Sequence, residues 1–338
     1  EPMEALEMEG IFGSLIPEVQ HALKKEGYAT PTPVQAKAIP PQIDGRDLFG
    51  SAQTGTGKTA AFTIPLLQEL AAEKINPEGR RPRALILAPT RELAAQIGDS
   101  ITAYGRFLQV SHTVIFGGVG QGPQEKAMNR GVDIVVATPG RLADSLASGA
   151  VALSRVQHVF LDEADTLIEG FDLADILRPL HLRATTSARE TLPPPQVVLA
   201  TAGVSPPLAS GINSFLARYK LTTIAGPGLH SLPPGIDLEF LRPQAASRDK
   251  EALLVDVVTR TLASPHARAM VFCNTIGSAR WAAHTLADAA IATASLHGGV
   301  KPNTRRAQYA AFLDGSAPVL VTTDVGSRGL DIPLLDAV

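Results

Sequence analysis

Cysteine is all but absent from this 338-residue chain: Cys273 stands alone, so no disulfide can form within it. That fits a reducing, intracellular compartment. Aromatic residues make up only 5%, which leaves Ala, Leu, Val and Ile to fill the core. No apolar run approaches the roughly 20 residues that a membrane helix needs, so no membrane partner is expected. The opening Glu1-Pro2-Met3-Glu4 shows no signal or transit peptide in view, which says little about the compartment. An excess of positive charge is missing too. Thirty Lys and Arg stand against 33 Asp and Glu, for a net charge of −3 and an isoelectric point near 6.3. A protein that coats nucleic acid by charge alone is thereby excluded, and any such contact must be local.

What is present is an ordinary globular composition, 45% hydrophobic and 19% charged, enough for two packed cores. Short runs rich in Val and Ile at 47–50, 84–88, 112–116, 133–137, 158–161, 196–200 and 221–225 alternate with amphipathic stretches at 60–74, 91–107 and 120–129. This alternation predicts an α/β fold with parallel strands covered on both faces by helices. The Gly/Pro cluster at 227–235 reads as a linker between a first domain, 1–226, and a second, 236–338. There the pattern restarts, with helices expected at 250–262, 277–290 and 303–313 and strands at 269–273, 294–297 and 319–322. The last strand is expected to form an open edge of its sheet. Residues 184–195, polar and then Pro-rich, read as a loop insertion.

Two segments carry chemistry. Ala52-Gln53-Thr54-Gly55-Thr56-Gly57-Lys58-Thr59 follows a strand and opens a helix. Gly55 and Gly57 let backbone N–H groups wrap a phosphate, and the helix N-terminus adds its positive end. Lys58 would reach the β- and γ-phosphates of a nucleotide and Thr59 would ligate Mg²⁺. Asp162-Glu163-Ala164-Asp165 ends an apolar strand. Taken alone it reads equally as a solvated turn. Downstream of a phosphate loop, Asp162 would hold Mg²⁺ through water, and Glu163 would orient and deprotonate an attacking water.

At these residues the chain resembles the DEAD-box family of RNA helicases, over roughly residues 12–333 with the motifs in the family's order. The resemblance implies two tandem RecA-like domains that bind ATP, Mg²⁺ and RNA, the RNA held by its backbone between the domains. Upstream, Tyr28-Ala29-Thr30-Pro31-Thr32-Pro33-Val34-Gln35 is similar to the family's adenine-reading motif, with Gln35 bonding the adenine edge and Tyr28 packing the base. Pro89-Thr90-Arg91, Gly117-Gly118 and Thr138-Pro139-Gly140-Arg141 match its RNA-contacting motifs; Arg91 could equally pair with Glu92 or a sheet-edge carboxylate. In the second domain Asn274 and Thr323 correspond to RNA contacts and Asp331 to a ribose contact, while His297-Gly298-Gly299 and Arg305 match a further segment. There the family usually has Gln, and this chain has Pro302.

Two departures stand out. The family's Ser-Ala-Thr coupling motif is represented by Thr201-Ala202-Gly203, which loses the hydroxyl at the third position. The family's Arg-rich motif, which carries its arginine fingers, is not met by Val338, so residues 1–338 are expected to bind ATP but turn it over slowly. Asp162-Glu163-Ala164-Asp165-Thr166-Leu167 with the altered coupling motif looks most like the mitochondrial branch, whose members help assemble the large ribosomal subunit. Ribosomal RNA and assembly proteins are the partners this implies. The competing expectation is an ATP-gated RNA clamp with little unwinding.

Overall fold

The structure is a computed structural model. It describes residues 3–52, 57–72, 81–118, 121–173, 176–177, 180, 194–202, 222–225, 236–243, 247–323 and 335–338. The chain divides into two compact units, Glu1–Pro234 and Gly235–Val338.

The first unit contains β1 (Leu48–Ser51), β2 (Ala84–Leu87), β3 (His112–Ile115), β4 (Ile134–Ala137), β5 (His158–Leu161), β6 (Gln196–Thr201) and β7 (Thr222–Ala225). Its described helices are α1 (Pro17–Lys25), α2 (Pro33–Ile43), α3 (Lys58–Ala72), α4 (Arg91–Tyr104), α5 (Gln121–Arg130), α6 (Pro139–Ala147) and α7 (Ala164–Gly170). The strands form one sheet in the order β3-β4-β2-β5-β6-β1-β7, and every pairing is parallel. β1, β2 and β4 are buried at every residue, as expected of strands covered on both faces. Alternation sends Ile86, Val136, Phe160 and Val198 into one apolar cluster with α1 to α4. It sends Leu85, Leu87, Val135 and Leu161 into the other.

Local sequence explains where helices begin. Thr32 and Gln35 form a reciprocal capping box for α2, with Pro33 just inside. Thr90 caps α4, its hydroxyl accepting from the Leu93 N–H at 3.2 Å. α3 is buried almost all round, from Ala60 to Leu67 and at Leu70, which hides the amphipathic signature of a surface helix.

The second unit has α8 (Ser247–Thr261), β8 (Ala269–Cys273), α9 (Ile276–Asp288), β9 (Thr293–Leu296), α10 (Pro302–Leu313) and β10 (Val319–Thr323). The sheet order is β8-β10-β9, again parallel. Here the expectation about the last strand is corrected. β10 is the inner strand, buried at every residue, because a crossover from β9 through α10 inserts it beside β8. A parallel bridge from Ala269 to Ala337 then lies on β8. The other element expectations differ from the structure by up to about three residues at their ends. The stretches expected as insertion and linker, 184–195 and 227–235, fall almost wholly outside the described residues.

Asp133 fastens the amino-terminal end of β4. Its Oδ1 accepts from Arg83 Nε at 3.1 Å and Nη2 at 2.9 Å, and its Oδ2 from the Ser111 N–H at 2.8 Å and Oγ at 2.9 Å. The Arg83 and Asp133 side chains are only 14% and 16% exposed. Asp133→Ala leaves a largely buried guanidinium without its carboxylate and should lower stability by about 3 kcal/mol. Urea unfolding followed by circular dichroism checks this; an unchanged midpoint would exclude a structural role for the pair.

Candidate nucleotide and RNA site

Because every strand of the first sheet is parallel, all carboxyl ends lie on one edge, where ligands of such sheets bind. Hydrogen bonds carry the ladder past the strands: Ala52 N–H to Thr201 C=O at 3.1 Å, Asp162 N–H to Leu87 C=O at 3.0 Å, Ala88 N–H to Ala137 C=O at 3.0 Å and Thr138 N–H to Ile115 C=O at 3.1 Å. The edge therefore reads, across the sheet, Phe116–Gly118 after β3, Thr138 after β4, Pro89–Thr90 after β2, Asp162–Glu163 after β5, Thr201–Ala202 at β6 and Ala52 after β1. The residues expected to meet RNA occupy one half and those expected to meet the nucleotide the other.

In the nucleotide half, Lys58 opens α3 and its Nζ donates to the Ala52 carbonyl at 2.7 Å, spanning the loop from end to start. Burial pushes the Lys58 ammonium down from its ordinary value, against the opposing pull of Asp162, Glu163 and Asp165. Burial likewise pushes the Asp162 carboxyl up, against Lys58 and the hydrogen bond from the Glu163 N–H, which reaches Asp162 Oδ1 at 2.9 Å. Each charge is thus held at a cost that an anion near Lys58 and a cation near Asp162 would offset. Thr59, in the first turn of α3, and Asp162 supply hard oxygen donors of the kind Mg²⁺ takes. Among the described residues no cluster of three His, Cys, Asp or Glu could hold a metal. The donor set therefore suits an ion bound mostly by phosphates and water.

Glu163 adopts a left-handed backbone, φ 49° and ψ 52°. A non-glycine residue there costs about 1–2 kcal/mol, and such strain collects at functional sites. The turn starts α7 directly after the strand. Two polar atoms in this half were given no role from sequence: Ser51 Oγ, paired in register with Thr201, and Asp165 Oδ1 are buried without a hydrogen-bond partner among the described residues. Asp165 was legible as the last member of the acidic tetrapeptide. Ser51 had no sequence signal.

Gln35 is fully buried. Its Oε1 accepts from the Thr32 N–H at 2.9 Å and its Nε2 donates to the Gly57 carbonyl at 3.3 Å. One N–H and one lone pair remain by count for a purine edge. Tyr28 packs edge-on to Phe12 and Tyr104, and its hydroxyl meets that of Tyr104 at 2.9 Å. Burial and that contact push the Tyr104 phenol up. Thr54, Gly55, Thr56, Gly203 and Asp331 lie outside the described residues.

In the other half, Arg91 and Gly118 come together: a Cβ on Gly118 would lie 2.4 Å from Arg91 Nη1, and Gly118 has φ +80°. Thr138 precedes α6, with Pro139 at its first position and Gly140 and Arg141 in the first turn. In the second unit, β8 runs into Asn274 and β10 ends at Thr323, beside Cys273 in register. Pro302 stands at the first position of α10, where a missing N–H costs nothing.

The chain belongs to the DEAD-box helicases. The DEAD/DEAH box helicase family profile matches residues 32–209, and the helicase conserved C-terminal domain matches 249–338. Among curated proteins, ATP-dependent RNA helicase DBP2 of Ajellomyces capsulatus is 32% identical over 98% of this chain and 58% of its own length. DEAD-box ATP-dependent RNA helicase 5 of Oryza sativa subsp. japonica is 33% identical over 96% of this chain and 62% of its own. The chain thus spans about three fifths of these relatives. Among solved structures, a leucine-to-valine variant of S. cerevisiae Dbp5 bound to RNA and ADP BeF3 superposes with a TM-score of 0.77 at 25% identity, over 95% of this chain and 77% of that one. The architecture of two RecA-like domains follows.

Gly57 has φ +82°, and a Cβ there would lie 2.5 Å from Gln35 Nε2. Gly57→Ala should therefore strain the loop, displace the Gln35 amide and reduce ATP affinity at least about tenfold. Titration with a fluorescent ATP analogue measures it, and parent-like affinity would detach Gln35 from the nucleotide site.

Proposed function

We propose that the chain is the core of an ATP-dependent RNA-remodelling enzyme, which binds RNA through its backbone and hydrolyses ATP. The observation that supports this best is the division of one sheet edge, with Lys58, Asp162 and Glu163 in one half and Arg91, Gly118 and Arg141 in the other. Lys58 would bind the β- and γ-phosphates, with Thr54, Gly55, Thr56 and Gly57 supplying the loop around them. Thr59 and Asp162 would hold Mg²⁺, which when bound neutralises charge on the phosphates. The Glu163 carboxylate would accept a proton from the attacking water, and its backbone fixes where that carboxylate sits. Gln35 would distinguish adenine from guanine, and Asp331 would take the ribose. Pro89, Thr90, Thr138, Pro139 and Gly140, with Asn274 and Thr323 in the second unit, offer hydroxyls and backbone groups suited to phosphate and 2′-OH.

A second reading is favoured by Gly203, which leaves the coupling segment Thr201-Ala202-Gly203 one hydroxyl short. In that reading the protein is an ATP-gated clamp that holds RNA and separates strands poorly. RNA-stimulated ATP turnover measured together with strand release distinguishes them: turnover without release selects the clamp. The same segment, with the acidic hexapeptide 162–167, supports a finer proposal. In it the RNA is ribosomal, the partners are assembly factors of the large ribosomal subunit, and the compartment is the mitochondrion. RNA crosslinked to the protein in its own cells tests it, and crosslinks confined to other RNAs would remove it.

Glu163→Gln keeps the shape of the side chain and removes the base. ATP turnover should fall by about 10²- to 10⁴-fold with ATP affinity retained, and RNA should stay bound in the presence of ATP. Near-normal turnover would overturn the assignment of Glu163. RNA binding without ATP should be weak and depend on salt through only a few released counterions, given a net charge of −3. Anisotropy titrations across KCl concentrations report both; tight binding without nucleotide would contradict it.

A further inference from the structure

The corner where α1 and α4 end holds a hydrogen bond that no motif announces. Its first half is set by the close of α1. Gly27, at φ +81°, follows the last turn of that helix. Its N–H reaches the Lys24 carbonyl at 3.1 Å, and the Tyr28 N–H reaches the Leu23 carbonyl at 3.0 Å. This paired closure fixes the Tyr28 backbone, four residues before the Thr32 cap of α2.

The Tyr28 side chain is fixed from elsewhere. Tyr104 is buried and is the last residue of α4. Its hydroxyl and that of Tyr28, itself half-buried, share a hydrogen bond of 2.9 Å across 76 positions of sequence. The two rings meet at 87°, and Phe12 meets Tyr28 at 77°. Neither neighbour lies parallel to Tyr28, so neither takes the parallel stack that a planar base makes. Phenylalanine at position 104 would serve packing alone. A buried hydroxyl costs free energy unless it is bonded, and this one is bonded to the side chain expected to pack the base. Burial, then the Tyr28 bond, pushes the Tyr104 phenol up, and a hydrogen bond from Ser100, one turn back on α4, opposes them. The phenol therefore keeps its proton at neutral pH. A second tie joins the same helix ends without the tyrosine hydroxyls: Glu26, which caps α1, pairs with Arg106 just past α4.

We propose that Tyr104 is a positioning residue for nucleotide binding, its hydroxyl holding the Tyr28 ring in the orientation that packs the adenine face. Tyr104 itself does not touch the nucleotide. A ring held in advance loses little freedom when the base arrives, so the hydroxyl pair contributes to affinity through the base alone. The proposal rests on the reading of Tyr28 as the base-packing residue.

The test uses the whole chain and a ribose-labelled fluorescent ATP analogue, displaced in magnesium buffer by ATP or by inorganic tripolyphosphate. Tyr104→Phe should weaken ATP roughly three- to tenfold and leave tripolyphosphate unchanged, since that anion carries phosphates and no base. Tyr28→Phe should lose as much. The two substitutions together should lose no more than either alone, because each hydroxyl serves the other. Arg106→Gln cuts the other tie between α1 and α4 and should change neither affinity. Parent-like ATP affinity in Tyr104→Phe would overturn the proposal. So would an equal loss for tripolyphosphate or in Arg106→Gln, either of which would mean a general loosening of the first unit. Tyr28→Ala tests the reading beneath: parent-like ATP affinity there would detach Tyr28 from the base. A loss in Tyr28→Ala beside an unchanged Tyr104→Phe would reject the positioning role alone.

Discussion

Parallel hydrogen-bonded register is the constraint on which the rest depends. β1, β2 and β4 are buried at every residue, and apart from Ser51 at the end of β1 they carry only apolar side chains, glycine and paired backbone. Chemistry is driven to the strand ends. Parallel pairing then brings the carboxyl ends to one edge, and the helices that follow β1, β2, β4 and β5 begin there with their free N–H groups. Lys58, Arg91, Thr138 and Asp162 all stand at such points although scattered through the sequence. In the sheet order the crossovers separate them into two groups, with β2 and β5 meeting at the boundary.

Placing charge at a buried edge has a cost, and the first unit carries it openly. Lys58 and Asp162 are each pushed toward neutrality by burial and each held by the other. Glu163 sits in a backbone region that a β-carbon disfavours. Gln35 spends part of its amide on Thr32 and Gly57, so the segment expected to read a base also braces the loop expected to hold its phosphates. A side chain oriented by its own neighbours loses little freedom when a ligand arrives, which is what preorganisation means in energetic terms. These features fit the polyphosphate and cation proposed above as occupants.

Much of this was legible in the sequence because it is local. Runs of Val and Ile bounded by Gly, Pro and Asp marked the strands to within one or two residues, and Thr90 and Thr138 stood where helices begin. What was not legible is non-local. β10 was expected at an edge and is the inner strand, since strand order depends on the route of the crossovers and not on any one segment. Arg91 had two readings from sequence, a carboxylate partner in Glu92 or at the sheet edge, or a role at the RNA face; its guanidinium lies beside Gly118, a residue 27 positions on. Ser51 gave no signal, because a buried hydroxyl beside Thr201 exists only once β1 and β6 pair.

The acidic net charge looked at first like an argument against nucleic acid, and the strand-end arrangement removes the difficulty. Recognition by backbone N–H groups, hydroxyls and a few Arg needs no broad positive field, only donors held in a row. The first sheet offers such a row, with Gly118 beside Arg91. There a glycine lets a guanidinium lie against main chain. Contacts of this type address phosphate and sugar, which every RNA presents alike. Selectivity for one RNA would then have to come from surfaces other than these edges, and a core built this way would serve different RNAs without change in its own residues.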